Sequence, residues 1–135
     1  TMLRSAAALG FERVILAGAC ADIYNPKTLR AAMGATFRLG TLALRGSGGA
    51  EVIRTLQASG RRVFAATPAE GAINLCDLEL RASDCFIIGN EGHGLDAGLV
   101  RICDASVKIP MSPGSESMNA ASAAAIFMWE ISNSK

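Results

Sequence analysis

The chain has 135 residues and a mass of 14.0 kDa, half hydrophobic but only 5% aromatic, enough for a single core packed largely by small side chains. Thirteen basic residues against twelve acidic ones leave a net charge of +1, which excludes the strongly basic balance of a domain that grips nucleic acid by charge alone. No apolar run approaches the roughly 20 residues of a membrane span; Cys20, Cys76, Cys85 and Cys103 show no C-x-x-C spacing and make no zinc set with one histidine.

The expectations are therefore no membrane, no metal, and reduced thiols in a cytoplasmic compartment. The chain opens on TMLRSAAALGF, an apolar helix in which Arg4 needs a partner or a wet edge. It starts at Thr1 and already sounds helical, so it reads as a piece of something longer. VILAG (14–18) follows as a strand. Asn25-Pro26 then has the form of a helix start, cap before first-turn proline, for a helix over 25–33. Lys27 and Arg30, a turn apart, read as a solvated face. ATFRL (35–39) reads as the next strand. Gly46-Ser47-Gly48-Gly49 precedes a helix over 50–58 but lacks the full G-x-G-x-x-G spacing, so a plain loop is favoured over a phosphate cradle.

RVFAAT (62–67), CFIIG (85–89) and ASVKIP (105–110) complete five apolar runs, with helical spacing over 95–102 and 119–131 between and after them. Alternation of this kind predicts an α/β domain over 1–135, with a parallel sheet covered by helices on both faces. Near-continuous apolar strands agree with burial on both sides. Ligands in such sheets gather beyond the carboxyl ends of strands, which points to Gly18, Thr67, Gly89 and Pro110.

Two loops at those ends carry polar groups. Gly89-Asn90-Glu91-Gly92-His93-Gly94 has three glycines in six residues, which lets backbone approach a ligand closely. Glu91 is open to two readings, a site residue or a cap for the helix near Leu95. His93 reads as a solvated loop histidine or as an acid or base. The second loop, Ser112 to Glu116, runs into Ser117-Met118-Asn119 and an alanine-rich helix. Ser117 and Asn119 suit helix capping.

LRSAAALGF, IIGNEGHGLD and KIPMSPGSESMNAASAAAIF, in that order, resemble the three motifs of the SpoU (TrmH-like) branch of the SPOUT RNA methyltransferases. ADIYNPKTLRAAMGATFRL is similar to the stretch between the first two. The resemblance implies a sheet tied at its C-terminal part into a deep trefoil knot, which topology rules alone would not suggest. It implies methyl transfer from S-adenosylmethionine to a ribose 2′-hydroxyl of RNA, rRNA ahead of tRNA, by a homodimer. Residue by residue it implies cofactor contacts at Thr67, Gly89, Ile109 and Met118, and catalytic roles for Arg4, Glu91, Ser117 and Asn119. The family's first motif has an Asn six residues before its Arg, and a strand before that; both are missing here. Met118 stands where Leu is usual, a volume-conserving change. Two other readings compete: a non-catalytic RNA- or cofactor-binding paralogue with the same knot, and an unrelated nucleotide-binding module built on the turn at 46–49.

Overall fold

A computed structural model of the chain describes residues 1–44, 46 and 48–134. Its contacts divide it into two compact units, Thr1–Gly49 and Ala50–Lys135.

In the first unit, α1 (Met2–Ala8) buries Leu3 and Ala6 and leads into β1 (Arg13–Ala17). Asn25 caps α2 (Pro26–Ala32), its side-chain oxygen accepting from the Lys27 N–H at 2.9 Å, and Pro26 takes the first position. These are the cap and proline expected there. α2 ends at Met33 in the left-handed conformation (φ 50°) and Gly34 follows at φ 79°. That double reversal starts a 3-10 turn over Ala35–Phe37. The strand expected over 35–39 is therefore displaced: β2 is Gly40–Leu44. Burial explains the shift. Ala35, Thr36 and Leu39 are buried while Phe37 is 75% exposed, a helical spacing rather than the alternation of a strand. β1 and β2 pair in parallel from Arg13 opposite Gly40 to Ala17 opposite Leu44.

In the expected turn at 46–49, Ser47 lies outside the described residues, and Gly48 and Gly49 already belong to α3 (Gly48–Ala58). In the second unit, β3 (Val63–Ala66), β4 (Ile73–Asn74), β5 (Cys85–Ile88) and β6 (Ala105–Lys108) form a parallel sheet in the order β4-β6-β3-β5. β4 is too short to show a period in sequence and went unpredicted. α4 (Ala97–Ile102) links β5 to β6, and α5 (Ala120–Asn133) follows. The core is Phe64, Leu75, Val107 and Phe127, with the Phe86 ring 5.4 Å from Phe64 and 4.4 Å from Phe127. Ala124, Phe127 and Ile131 lie along one stripe of α5 and are buried. Of the small residues at the head of α5, Ala124 is buried.

At the opposite, amino end of this sheet, Asp84 is buried and accepts from Arg62 Nε at 3.0 Å, Arg62 Nη2 at 2.5 Å and the Arg81 N–H at 2.8 Å. Asp104 accepts from the Val63 N–H at 2.7 Å and Gln57 Nε2 at 3.1 Å. These bonds tie the strand starts together and leave the carboxyl edge for other work.

Candidate active site at the carboxyl edge of the second sheet

Parallel register places Ile88, Ala66 and Val107 side by side across β5, β3 and β6. The residues that follow these strands, Thr67, Gly89 and Ile109, therefore share one edge. The Thr67 N–H donates to the Val107 carbonyl at 3.0 Å and carries the ladder one residue further.

The loop after β5 is closed on itself. Asn90 and Gly94 form an antiparallel bridge, exchanging N–H···O bonds of 3.2 and 2.8 Å. Asn90 Oδ1 also accepts from the Gly92 N–H at 2.7 Å, and Gly94 holds φ 66°, a conformation glycine adopts without steric cost. Gly89 packs directly on that turn. A Cβ at 89 would lie 2.5 Å from the Gly94 carbonyl carbon and 2.7 Å from the Leu95 nitrogen. The chain's own backbone thus requires glycine there, whatever else meets it.

The loop after β6 ends at Asn119, whose amide is used at both ends. Its Oδ1 accepts from the N–H groups of Ala121 and Ser122 at 3.0 and 3.1 Å, capping α5. Its Nδ2 donates to Glu91 Oε1 at 3.0 Å. Two residues 28 positions apart are thereby joined, with the amide orientation set by the partners on each side. Glu91 does not cap the helix near Leu95. That task falls to Asp96, whose Oδ1 accepts from Gly98 and Leu99 at 2.8 and 3.2 Å. The capping alternative for Glu91 is thus set aside. Ser117 and His93 are exposed and their side chains make no hydrogen bond among the described residues; Met118 is 39% exposed. Arg4 is an exposed residue of α1 in the first unit.

The same loop walls a cleft of about 460 Å³, with Pro68, Asn74, Lys108, Ile109, Met111 and Glu116 among its lining. That volume is in the range of small-molecule sites, roughly 300–1,000 Å³. Its wall is mixed: Ile109, Met111 and prolines supply apolar surface, Asn74, Lys108 and Glu116 polar and charged groups. Of the expected cofactor residues, Ile109 lines the cleft and Thr67 precedes its Pro68, whereas Gly89 and Met118 are not part of its lining. Asn74 and Lys108, opposite each other in the β4–β6 register, are cleft residues that sequence reasoning missed. Nothing local marks them, since only the pairing of two distant strands puts them together. Asn90, which reads along the chain as a polar group at this edge beside Glu91, turns its oxygen into the loop instead. Among the described residues no group of three or more His, Cys, Asp or Glu side chains could hold a metal ion, and no helix is long and apolar enough to cross a membrane.

Known proteins resemble the chain over almost its whole length. A 23S rRNA (uridine(2479)-2′-O)-methyltransferase from Streptomyces viridochromogenes is 33% identical over 132 residues, covering 96% of this chain and 46% of the relative. The 23S rRNA (guanosine(2553)-2′-O)-methyltransferase RlmP of Bacillus subtilis (strain 168) is 34% identical over 131 residues, with 97% and 51% covered. The crystal structure of the SpoU methyltransferase AviRb from Streptomyces viridochromogenes in complex with AdoMet superposes with a TM-score of 0.84 at 31% identity, over 97% of this chain and 53% of that one. The chain spans about half the length of the curated relatives it matches. With the model of the SpoU rRNA Methylase family matching residues 1–129, and with the parallel α/β architecture shared, this chain belongs to the SpoU rRNA methylase family.

Proposed function

We propose that the chain is the catalytic domain, over 1–135, of an RNA 2′-O-ribose methyltransferase that uses S-adenosylmethionine and acts on rRNA rather than tRNA. The observation that carries this reading is the Asn119–Glu91 hydrogen bond. It holds a carboxylate at the sheet edge, in a chain of which 96% and 97% match two relatives named as 23S rRNA 2′-O-methyltransferases.

The cleft fits the cofactor in size and in its mixture of apolar and polar wall. Ile109 in its wall and Thr67 beside its Pro68 would hold it, and the family resemblance adds Gly89 and Met118 from outside that lining. When bound, S-adenosylmethionine supplies a methyl group on a cationic sulfur, already a good electrophile, so the protein's task is to orient a hydroxyl and manage one proton. Glu91 Oε1 is engaged by Asn119, and Oε2 makes no hydrogen bond among the described residues, which leaves one carboxylate oxygen to accept from substrate. The Ser117 hydroxyl, two residues before the cap, offers a further donor and acceptor. Arg4 is the positioning cation the resemblance implies. A guanidinium keeps its proton and is a poor base, and it suits stabilisation of developing alkoxide charge. In this reading the 109–119 loop closes a deep trefoil knot, and the protein works in the cytoplasm as a homodimer. Retention of Arg4, Glu91, Ser117 and Asn119 speaks against a non-catalytic paralogue.

The test is calorimetric titration of the complete protein with S-adenosylmethionine, beside transfer of labelled methyl into rRNA. Arg4→Ala should lower transfer on the order of 10²-fold or more with cofactor affinity unchanged, and Met118→Asp should weaken cofactor binding. Gly89 is unsuited as a binding control, because any side chain there strikes the Gly94–Leu95 backbone first. Parental transfer by Arg4→Ala would remove Arg4 from its role. A complete protein that binds no S-adenosylmethionine would remove the function itself.

A further inference from the structure

Resting on the methyl-transfer reading, we infer that Asn90 is a positioning residue that sets Glu91 for the reaction by closing the 90–94 loop. Asn90 precedes Glu91 directly and makes three of the bonds that define this loop. Its N–H and carbonyl both pair with Gly94, and its Oδ1 holds the Gly92 N–H at 2.7 Å. Glu91 itself makes one side-chain bond among the described residues, to Asn119 Nδ2. An exposed carboxylate with a single tether can rotate about its own side-chain bonds. Its reach to Asn119 therefore depends on where the backbone at 91 stands. That backbone is anchored on both sides: ahead of it by Gly89 packed against Gly94–Leu95, behind it by the Asn90–Gly92 turn.

The chemistry of Asn90 is asymmetric. Only its oxygen is used within the loop, since its Nδ2 makes no hydrogen bond among the described residues. A serine at 90 retains an oxygen acceptor for the same turn, more weakly, and removes the amide nitrogen. An alanine removes both. The two substitutions thus separate a residue that shapes the loop from one whose amide nitrogen touches substrate. Aspartate is less suitable, since it would place a second negative charge beside Glu91.

The experiment compares Asn90→Ala and Asn90→Ser in the complete protein by methyl-transfer kinetics and by NMR of the Asn119 side-chain amide, with Glu91→Ala marking the unbonded position of that signal. For Asn90→Ala, kcat is expected to fall on the order of 10²-fold, the scale of a misplaced reacting group. KM for S-adenosylmethionine and the unfolding midpoint should stay near parental, and the Asn119 amide signal should move toward that of Glu91→Ala. Asn90→Ser should recover most of kcat and of the parental signal. Parental kcat together with a parental Asn119 signal in Asn90→Ala would overturn the inference. So would an Asn90→Ser variant as slow as Asn90→Ala while its Asn119 signal stays parental, because the amide nitrogen would then act on substrate directly. If the unsubstituted protein methylates no RNA, the functional reading fails, and the Asn119 signal alone decides the loop role: shifted in Asn90→Ala and restored in Asn90→Ser supports it, unshifted in Asn90→Ala refutes it.

Discussion

Thr36 carries a hydroxyl into the interior of the first unit, where it is 5% exposed and its Oγ1 finds no hydrogen-bond partner among the described residues. A buried polar atom without a partner keeps its desolvation cost and gains nothing in return. Thr36→Val has nearly the same shape and removes that atom. We expect it to raise stability by about 1 kcal/mol, measured as a shift in the denaturant midpoint with unchanged slope. An unchanged or lowered midpoint would mean the hydroxyl is satisfied in solution. Gly89 shows the opposite residue-scale logic. Its glycine looked like room left for a ligand when read along the chain, and the structure gives it a nearer cause in the Gly94–Leu95 backbone.

At the scale of elements, α5 begins on a side chain that serves two purposes, and substitution can divide them. Asn119→Ala removes both the cap and the donor to Glu91, and should cost about 1 kcal/mol of stability together with methyl transfer. Asn119→Asp keeps a capping oxygen, favoured by charge at a helix start, but faces Glu91 with a second carboxylate in place of an N–H. It should lose transfer with a smaller loss in thermal stability. Equal stability losses in the two variants would show that the cap is not what Asn119 contributes. Capping was legible in the sequence because it is local: Asn25 before Pro26, and Asn119 before the alanine run, each needed only their own neighbours. The four runs at VILAG, RVFAAT, CFIIG and ASVKIP became strands for the same reason, β-prone apolar stretches visible in composition, although Ile15 of the first is 39% exposed. ATFRL failed because β-prone Thr36 and Phe37 sit in a turn imposed by the left-handed pair Met33–Gly34. β4 and the pairing of Asn74 with Lys108 were not legible, since each depends on where a distant segment arrives, whereas Asp96, directly before Ala97, caps its helix as locally as Asn25 and Asn119 do. The joining of Glu91 to Asn119 came within reach only through the family resemblance; spacing alone says nothing about two residues 28 apart.

At the scale of the molecule, charge sets the pH range over which the second unit holds. Asp104 is kept below the usual carboxylate range chiefly by the Val63 N–H, helped by Gln57. Because its folded pKa is depressed, its contribution is complete above the ordinary value near 3.8 and fades as pH falls through the lowered folded value. On the alkaline side, burial and nearby Asp104 push the Cys103 thiol up to about 11 from an ordinary value of 9.0. Its folded pKa is raised, so its contribution is complete below 9.0 and is lost as pH rises toward 11. Unfolding followed from pH 3 to 11 should show both declines. Cys103→Ser should reduce the alkaline one, leaving the part due to Cys85, whose thiol burial also pushes up, and leave the acid one intact; an alkaline slope unchanged by the substitution would assign it to other groups.

The strand order β4-β6-β3-β5 also has a consequence in time. β6 is the last of these strands to be synthesised, and it takes the place between β3 and β4. β3 and β5 can pair as soon as residue 88 is available, but β4 pairs only with β6 among the described strands. Until residues 105–108 emerge from the ribosome, the nascent chain holds half a sheet with one flank open and one short strand without a ladder. Closing that gap requires a late segment to be inserted between two early ones, the kind of long-range step that slows folding and prolongs the exposure of unpaired edges.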